Sequence, residues 1–431
     1  MKSQKLNILI IGSGGREHAL VWKIYDSPRL GKMYIAPGNA GTTKKAQSLD
    51  IDIYSSQEIL STCINYNIDL VVIGPDDVLA TDVADVLRAN RLMVFGPSQS
   101  AARIEYSKAY AKDMMNRAGI NTAQYQEFNT FNKAIDYLKK SKYPLVIKAD
   151  GLALGKGVVI CRNIAEATKA LQNIMQEKVH GESGSKVIIE NFLEGIEIST
   201  HAFCDGITYH MFPSSQDHKQ IFNNDQGPNT GGMGTIAPLP WVPKKFIEDL
   251  GKKIVNPILD ELKIDGNEYI GCLYPGLMLN DNGYNVVEYN ARFGDPELQS
   301  YIRLLKTDLV DILEACANRN LANIEIEWID KYACCIILAS EGYPGQYQKG
   351  EVITGVNVAE KLDDIVVFHA GTKQEGNNLI VNGGRVLGVT AVGDNLDEAL
   401  DKAYNAIKKI HFKGMQYRTD IGRRAIPDWL K

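Results

Sequence analysis

The sequence predicts a multidomain protein of α/β and α+β class, with an open parallel-sheet domain first and a small α/β domain last. Three observations predict it. A chain of 431 residues is long enough for two to four compact units. Apolar runs alternate with helical patterns up to about residue 105, which is typical of a parallel sheet. From residue 106 onward several apolar runs follow one another directly, as the strands of hairpins do.

The first domain is predicted over residues 1–105. Residues 6–11 (LNILII) form an apolar run bounded by a glycine-rich turn, as expected for a strand buried on both faces. A helical pattern, REHALVWKIY, follows the turn. Further apolar runs predict strands at 32–38, 68–77 and 92–98. Strands that alternate with helices indicate a parallel sheet and therefore an open α/β domain.

The second domain is predicted over residues 106–327. It begins with a helix that ends at Gly119, followed at 143–161 by a strand, a glycine-rich turn and a strand. The later elements are predicted as a helix at 163–177, strands within 186–205, a glycine- and asparagine-rich loop at 213–240, a helix near 244–263, and paired strands at 269–280 and 284–297.

The third domain is predicted over residues 328–431. It begins with an apolar strand at 333–339 and continues through turn-rich segments to a helix near 396–409. This order indicates a small mixed α/β domain.

Composition excludes several kinds of protein. Hydrophobic residues make up 45% and charged residues 23%, an ordinary balance for a soluble protein. The net charge of −5 supplies no positive field for a nucleic-acid backbone, so no nucleic-acid partner is expected. Any phosphate must therefore be bound by local loops and a few well-placed cations.

The cysteines and apolar runs indicate a cytoplasmic protein without a membrane partner. The chain has seven cysteines and no CxxC motif, so we expect buried free thiols in a reducing compartment. The N-terminal apolar run is too short for a signal peptide, and no run approaches the ~18 residues of a membrane span.

The first glycine-rich loop lies between a predicted strand and a predicted helix. Its candidate ligand-binding residues are Gly14, Gly15 and Arg16, because glycines and a helix N-terminus can accommodate a phosphate. A dinucleotide site is disfavoured, since Glu17 replaces the third glycine and Asn39 stands where such enzymes place an acid. The alternative is a simple tight turn.

The second glycine-rich loop indicates nucleotide chemistry more strongly. Its glycines can cover a polyphosphate with backbone N–H groups, and its lysines add positive charge. These residues are Lys148, Gly151, Gly155, Lys156 and Gly157. The loop lies between two predicted strands, so it is a hairpin flap and not a P-loop, which would lead into a helix. The alternative is a glycine hairpin with solvated lysines.

Two further segments complete the predicted nucleotide site. Residues 190–197 (ENFLEGIE) end a buried strand and supply a hinge for an adenine, with Glu197 available for ribose hydroxyls. Glu288 and Asn290 lie two residues apart in a predicted strand, hence on one face. A carboxylate and an amide oxygen so placed can bind Mg²⁺. Alone, such a pair is more often a polar strand face, but ARFGDPE follows it directly.

Together these motifs resemble one family. They are GSGGREHA (12–19), KADGLALGKGVV (148–159), ENFLEGIE (190–197), QDHK (216–219), DQGPNTGGMGTIAP (225–238), NARFGDPE (290–297), NGGRVLGVT (382–390) and YRTDIGRRA (417–425). Their order along nearly the whole chain is similar to that of the phosphoribosylamine–glycine ligases, members of the ATP-grasp superfamily. One departure is Gln220, where the family usually has an arginine after QDHK.

The resemblance implies an ATP-grasp fold with a mobile flap at about 122–192. It also implies roles for the nucleotide-binding residues. Lys108 and Lys148 would contact the phosphates of ATP, Glu190 and the Leu193 backbone its adenine, and Glu197 its ribose. Glu288 and Asn290 would bind one or two Mg²⁺ or Mn²⁺ ions.

The resemblance further implies a carbon–nitrogen ligase of purine synthesis. Its small-molecule partners would be glycine and 5-phosphoribosylamine, joined through glycyl phosphate with release of ADP and phosphate. Arg292, Lys148 and Asp217 are the expected catalytic residues. Arg292 would bind the glycine carboxylate, Asp217 or Asp295 the ammonium, and the Gly14–Arg16 loop with Arg385 the 5-phosphate.

Alternatives remain for some of these roles. Arg292 could instead form an internal ion pair with Asp295 or Glu297. His18 and His218 could carry protons, although structural hydrogen bonds are the preferred interpretation. Another ATP-grasp ligase, such as a bicarbonate-activating carboxylase, is the alternative enzyme, and a NAD-dependent dehydrogenase rests only on the first loop. A monomer or weak dimer is expected.

Overall fold

The computed structural model of the protein describes residues 4–151, 157–179 and 184–423. The N-terminal region contains a parallel sheet in the order β3-β2-β1-β4-β5. Its strands are β1 (Leu6–Gly12), β2 (Leu30–Pro37), β3 (Gln47–Ser48), β4 (Leu70–Ile73) and β5 (Met93–Phe95). The helices of this region are α1 (Gly15–Tyr25), α2 (Ser56–Tyr66), α3 (Asp76–Leu79), α4 (Val83–Ala89) and α5 (Gln99–Tyr106). The predicted parallel sheet is therefore confirmed.

The helix predicted from residue 106 and ending at Gly119 begins later than expected, at Lys108. Ser107 has extended backbone angles, and its hydroxyl accepts a hydrogen bond from the Tyr110 N–H. Serine commonly caps helices in this way, because the first N–H groups of a helix lack intrahelical partners. Ser107 thus separates α5 from α6 (Lys108–Arg117).

A small antiparallel sheet with its own core follows. Its order is β6-β9-β7-β8, from β6 (Tyr125–Phe128), β7 (Leu145–Ala149), β8 (Val158–Cys161) and β9 (Val187–Asn191). Helix α7 (Phe131–Leu138) and helix α8 (Ile164–Leu171) cover it, and α8 continues to Gln176 as a π-helical turn. Leu145, Ile147 and Leu171 belong to an apolar cluster within this unit alone. The unit lies inside the range predicted for the flap, whose mobility stays a prediction.

The central antiparallel sheet carries the middle of the chain. Its path is β10-β17-β11-β12, and β18 pairs with β17. The strands are β10 (Ile196–Ser199), β11 (Ala202–Asp205), β12 (Tyr209–Met211), β17 (Ile270–Asn280) and β18 (Gly283–Asn290). The helices are α9 (Lys244–Leu250) and α10 (Asn256–Ile264), joined by a π-helical turn, and then α11 (Glu297–Leu304) and α12 (Leu309–Ala317). The predicted pairing of the last two strands, β17 with β18, is confirmed.

The prediction of a loop at 213–240 was wrong, because this segment contains four short strands. They are β13 (Gln216–Asp217), β14 (Gln220–Phe222), β15 (Gln226–Asn229) and β16 (Gly234–Ala237). Glycine and asparagine are depleted in strands, so composition hid them. Strand β16 pairs with β19 (Tyr332–Ser340) of the C-terminal region.

This pairing builds one sheet from two predicted domains. Its order is β13-β16-β19-β23-β20, with β24 also paired to β19. The remaining C-terminal elements are α13 (Val356–Ala359), β20 (Ile365–His369), the β21 (Thr372–Glu375) and β22 (Asn378–Val381) hairpin, β23 (Arg385–Gly393), α14 (Leu396–Ile407) and β24 (Met415–Gln416). The predicted boundary at 327/328 therefore lies between strands that share a sheet.

All seven cysteines are free and buried, as expected. Burial raises the pKa of the Cys63 thiol to about 12 and that of the Cys161 thiol to about 11. Within the described ranges, no helix is both long enough and apolar enough to cross a membrane.

Candidate active site

The β17–β18 hairpin forms the platform of the candidate site. Glu288 lies opposite Gly276 and Asn290 opposite Tyr274, so both side chains lie on one face of the hairpin, as predicted. Asn290 is buried, and its Oδ1 accepts a hydrogen bond from Arg292 at 3.3 Å. A carboxylate and an amide oxygen therefore face the same space.

Three lysines surround Glu288. Burial alone would raise the pKa of Glu288, but Lys219, Lys148 and Lys108 together lower it to about 2. The Glu288 carboxylate is therefore ionised at every physiological pH. Lys219 lies 3.8 Å from Glu288 and 2.5 Å from Glu197, and these carboxylates raise its pKa although burial opposes the shift. This concentration of ammonium groups suits a polyphosphate.

The Glu190 carboxylate is clamped between two lysines. Lys148 of β7 pairs with one oxygen, and Lys112 of α6 pairs with the other at 2.7 Å. Burial raises the pKa of Glu190, but Lys148 and Lys112 lower it overall. Lys112 also donates to Thr122 at 2.7 Å. Glu190, expected at an adenine, thus also orients Lys148.

The hinge after β9 needs a glycine. Gly195 has φ +152°, and a Cβ atom there would lie 2.1 Å from the Leu279 carbonyl oxygen. Leu193 lies in this connection and is half-buried, and Glu197 of β10 lies opposite Met278 of β17. The segment predicted to hold adenine and ribose therefore passes close to the β17–β18 platform.

The base of the flap loop contacts the N-terminus of α6. Asp150 accepts hydrogen bonds from the Ala109 N–H at 3.1 Å and the Ser107 hydroxyl at 3.2 Å. Lys108 Nζ donates to the Gly151 carbonyl at 3.1 Å, and burial lowers the pKa of Lys108. Gly157 stands just before β8 and accepts from Ala149. Two further predicted residues, Gly155 and Lys156, lie outside the described residues.

Arg292 pairs with a residue that sequence reasoning missed. Its Nη2 lies 3.0 Å from Glu105 of α5, so the internal partners considered for it, Asp295 and Glu297, were wrong. Those carboxylates are engaged elsewhere: Asp295 pairs with Arg385 at 3.3 Å, and Glu297 accepts from the Tyr274 hydroxyl at 2.6 Å. Burial raises the pKa of Glu105 to about 7, although Arg292 lowers it.

Asp217 and Glu297 are two buried acidic residues whose charges interact. Burial and the charge of Glu297 raise the pKa of Asp217 well above its usual range. Gly232 closes over Asp217 with φ +113°, and a Cβ atom there would lie 2.7 Å from the carboxylate. A buried carboxylate that interacts with a second one favours a bound proton or an ammonium group.

Arg385 fixes the loops beside this pair. It donates to the Gly231 carbonyl at 2.7 Å and to the Asp295 carbonyl at 2.6 Å. Burial raises the pKa of the Asp295 carboxyl, but Arg385 and Arg16 lower it overall. Two guanidinium groups from distant parts of the chain thus flank one carboxylate.

The first glycine loop is partly filled by its own acid. The Gly14 N–H donates to Glu17 at 2.6 Å, and Arg16 Nε pairs with the same carboxylate at 2.6 Å. Arg16 also donates to the Phe293 carbonyl at 3.2 Å. Gly15 lies next to Gln299, so the loop contacts the segment after Arg292. A phosphate at this helix N-terminus must therefore compete with a carboxylate.

Both histidines considered as proton carriers make structural hydrogen bonds. His18 Nδ1 accepts from the His369 N–H at 2.7 Å, and burial with nearby His369 lowers its pKa. His218 Nε2 accepts from the Gly422 N–H at 3.1 Å. These contacts favour the structural interpretation given to both.

The Gln220 side chain is engaged within the β14–β15 pair. Its side chain donates to Asn229 at 3.2 Å across the β14–β15 pair, while its carbonyl accepts from the fully buried Arg418. The residue that departs from the family pattern therefore has its hydrogen-bond partners in Asn229 and Arg418.

A metal ion at Glu288 and Asn290 needs ligands from a nucleotide or water. In residues 4–151, 157–179 and 184–423, no three His, Cys, Asp or Glu side chains are grouped to hold a metal. The two oxygens nevertheless fit a hard divalent cation, because Glu288 stays ionised. The donor set fits a metal that arrives with phosphate oxygens.

Family models match the chain in three consecutive segments. The models are those of phosphoribosylglycinamide synthetase: its N domain matches residues 6–105, its ATP-grasp (A) domain residues 106–298 and its C domain residues 333–424. These segments cover most of the chain in a single order.

Similar proteins agree with the family models. A phosphoribosylamine–glycine ligase from Caldanaerobacter subterraneus subsp. tengcongensis is 44% identical over 96% of this chain and 99% of its own length. The crystal structure of phosphoribosylamine–glycine ligase from Thermotoga maritima has a TM-score of 0.84 at 33% identity, covering 97% of this chain and 100% of its own.

A more distant structure shares the fold alone. The biotin carboxylase domain of Hydrogenobacter thermophilus 2-oxoglutarate carboxylase has a TM-score of 0.75 at 16% identity, covering 96% of this chain and 92% of its own. The family models, the close relative and the grouping of lysines around Glu288 lead to one conclusion: this chain belongs to the phosphoribosylamine–glycine ligase family of ATP-grasp enzymes.

Proposed function

We propose that the protein is an ATP-dependent ligase that joins glycine to 5-phosphoribosylamine, giving glycinamide ribonucleotide, ADP and phosphate in purine synthesis. The observation that supports it best is the ionised Glu288 among three lysines, next to the half-buried Arg292. Membership of the family supports the choice of substrates.

The first step transfers the γ-phosphoryl group to glycine. A glycine carboxylate oxygen attacks the γ-phosphorus, the bond to the bridging oxygen breaks, and ADP leaves with that electron pair. Lys108 and Lys148 hold the phosphates, and Arg292 holds the attacking carboxylate in a planar fork. Such a transfer depends on alignment and charge neutralisation more than on a covalent catalyst.

A divalent cation fits this step. Glu288 and Asn290 would hold Mg²⁺ or Mn²⁺, and the ion would neutralise phosphate charge when bound. We propose Mg²⁺ as the physiological ion, because Mg²⁺ commonly combines one or two protein oxygens with nucleotide phosphates.

The second step forms the amide. The amine of 5-phosphoribosylamine attacks the acyl carbon of glycyl phosphate, the carbon–oxygen bond breaks, and phosphate leaves as the amine loses a proton. Arg16 and Arg385 flank Asp295 where three regions meet, so we place the 5-phosphate beside them. Closure of the flap would exclude water, which hydrolyses acyl phosphates.

The glycine ammonium fits the buried acidic pair. Burial and the charge of Glu297 disfavour the ionised form of Asp217. An ammonium group beside Asp217 would offset this penalty, so we assign Asp217 to the glycine amine.

The test is substrate-dependent ADP release. Supplied with ATP, Mg²⁺ and 5-phosphoribosylamine, the protein should release ADP with glycine and with no other of the common amino acids. ADP release that requires bicarbonate instead of glycine would identify the carboxylase alternative. The free, buried thiols suit a reducing compartment, so we place the activity in the cytoplasm. We expect the active form to be a monomer or weak dimer.

A further inference from the structure

We propose that Glu105 is a positioning residue for the ligase reaction, because it fixes Arg292 and the end of β18 from a different domain. Glu105 lies in the last turn of α5, and its side chain is 9% exposed. The inference rests on the proposed function, in which Arg292 binds glycine.

One carboxylate makes both contacts. Oε2 of Glu105 accepts a hydrogen bond from the Ala291 N–H at 2.7 Å, and Oε1 lies 3.0 Å from Arg292 Nη2. The main chain and the guanidinium of adjacent residues are therefore held by a single side chain. If Glu105 loses either contact, its side chain can rotate and the other contact weakens as well.

The contact extends to the proposed metal ligand. The same Arg292 Nη2 donates to Asn290 Oδ1 at 3.3 Å, and Nη1 donates to the Phe293 carbonyl at 3.2 Å. A guanidinium held on several sides presents its remaining donors in one plane. Glu105 thus determines where that plane faces, without touching the substrate.

The position of Glu105 along the chain adds to its role. It is the last residue matched by the N-domain model of the family, whereas Arg292 belongs to the ATP-grasp domain. Ser107, two residues later, contacts Asp150 at the base of the flap loop. One short segment therefore touches both the arginine and the flap.

The test uses Glu105→Gln. Glutamine keeps the size of the side chain and can still accept from Ala291, but its amide group presents a donor to a guanidinium that is itself a donor. A lost hydrogen bond to a charged group corresponds to about a tenfold change in an equilibrium constant. We expect the KM for glycine to rise about tenfold and kcat to fall, with the KM values for ATP and 5-phosphoribosylamine nearly unchanged.

The control is Glu58→Gln, an exposed glutamate on α2 of the same domain. It should leave all three KM values unchanged. If Glu105→Gln fails to fold, Glu105→Asp replaces it, since the shorter side chain keeps the charge but cannot reach both contacts. Equal shifts for all three substrates, or a lower KM for glycine, would overturn the inference.

A double-mutant cycle separates this inference from the proposed function. With Glu105→Gln, Arg292→Lys and the double variant, we expect the second substitution to add little, because both act through one guanidinium. Multiplying effects would overturn the role of Glu105. If Arg292→Lys alone leaves glycine kinetics unchanged, the assignment of Arg292 fails. If it raises the KM for glycine and Glu105→Gln does not, only the Glu105 inference fails.

Discussion

At the scale of single residues, the site balances buried carboxylates against lysines. Glu190, Glu197 and Glu288 alternate in space with Lys112, Lys148 and Lys219 through direct ion pairs. Buried ions are costly without partners, so each group depends on its neighbours. The loss of one charge in this network should therefore disturb its neighbours as well as the substituted residue.

Glu288→Gln should abolish metal-dependent ATP turnover while the fold survives. The substitution removes a ligand of a hard ion from the strand face. Mutation of a residue that only hydrogen-bonds to a metal ligand already lowers metal affinity or activity by about 10–100-fold. We expect a loss of more than about a hundredfold at limiting Mg²⁺. ATP turnover against Mg²⁺ concentration measures it, and Asp281→Asn, exposed in the same hairpin, is the control. Unchanged turnover would reject the metal assignment.

The two substrates should be separable by mutation. Arg292→Lys keeps the charge but loses the planar fork, so it should raise the KM for glycine about tenfold to hundredfold. Arg16→Lys, the matched change in the N-terminal loop, should raise the KM for 5-phosphoribosylamine instead. Steady-state kinetics with one substrate varied at a time decides the matter. A shift of the same substrate in both variants would contradict this division.

His369 should make stability depend on pH. Burial, with Lys44, lowers the pKa of His369 to about 3, whereas an unfolded histidine has a pKa of about 6.5. Between these values the unfolded chain binds the extra proton, so acidification destabilises the fold. His369→Gln should remove about 1.4 kcal/mol per pH unit from the pH slope of unfolding free energy near pH 5. Denaturant unfolding measures it; His411→Gln, at an exposed position, should keep the wild-type slope.

The sequence predicts the site residues that lie inside motifs, but not the partners that contact them from far away along the chain. Glu288, Asn290 and Lys148 were predicted because local spacing places them on strand faces or glycine loops. Glu105 could not be predicted, since its partner Ala291 lies 186 residues away along the chain. Lys112 was missed because a lysine in a helix is normally solvated, and only the fold places it against Glu190.

At the scale of elements, the strands with strong apolar runs were predictable and the short ones were not. Strand β1 is buried along most of its length, so its sequence is a continuous apolar run that can be recognised without the structure. Strands β13–β16 are two to four residues long, and β15 is largely exposed. Strands β14 and β15 pair only with each other, whereas β13 pairs with β16, and β16 with β19. Strand β19 lies almost a hundred residues later, so a local pattern cannot reveal that pairing.

The flap should become more ordered with nucleotide. Lys108, Asp150 and Gly151 already connect the flap base to α6, and ATP phosphates would add contacts to Lys148 beside them. Hydrogen exchange at residues 151–161 should slow at least about tenfold with ATP and Mg²⁺, since local opening is suppressed by binding. Helix α2, which carries none of the predicted site residues, is the internal control. Equal rates with and without nucleotide would reject the flap.

At the scale of the whole molecule, the middle and C-terminal regions share one sheet. Strand β16 lies between β13 and β19, so truncation after residue 327 removes the partner of β16 and exposes an unpaired edge. The fragment 1–327 should aggregate, whereas co-expression with 328–431 should restore a soluble complex. Size-exclusion chromatography of both preparations measures this. A soluble, cooperatively unfolding 1–327 fragment would contradict the shared sheet.

The seven buried thiols also make the protein suitable for optical study. All are inaccessible and poorly ionised, so maleimide dyes should leave the native chain unmodified. One engineered thiol, for example Lys140→Cys on the exposed side of the flap unit, would then be the single labelling site. A second, such as Glu58→Cys on the N-terminal domain, would complete a donor–acceptor pair. Flap closure could thus be timed by energy transfer in an otherwise native protein.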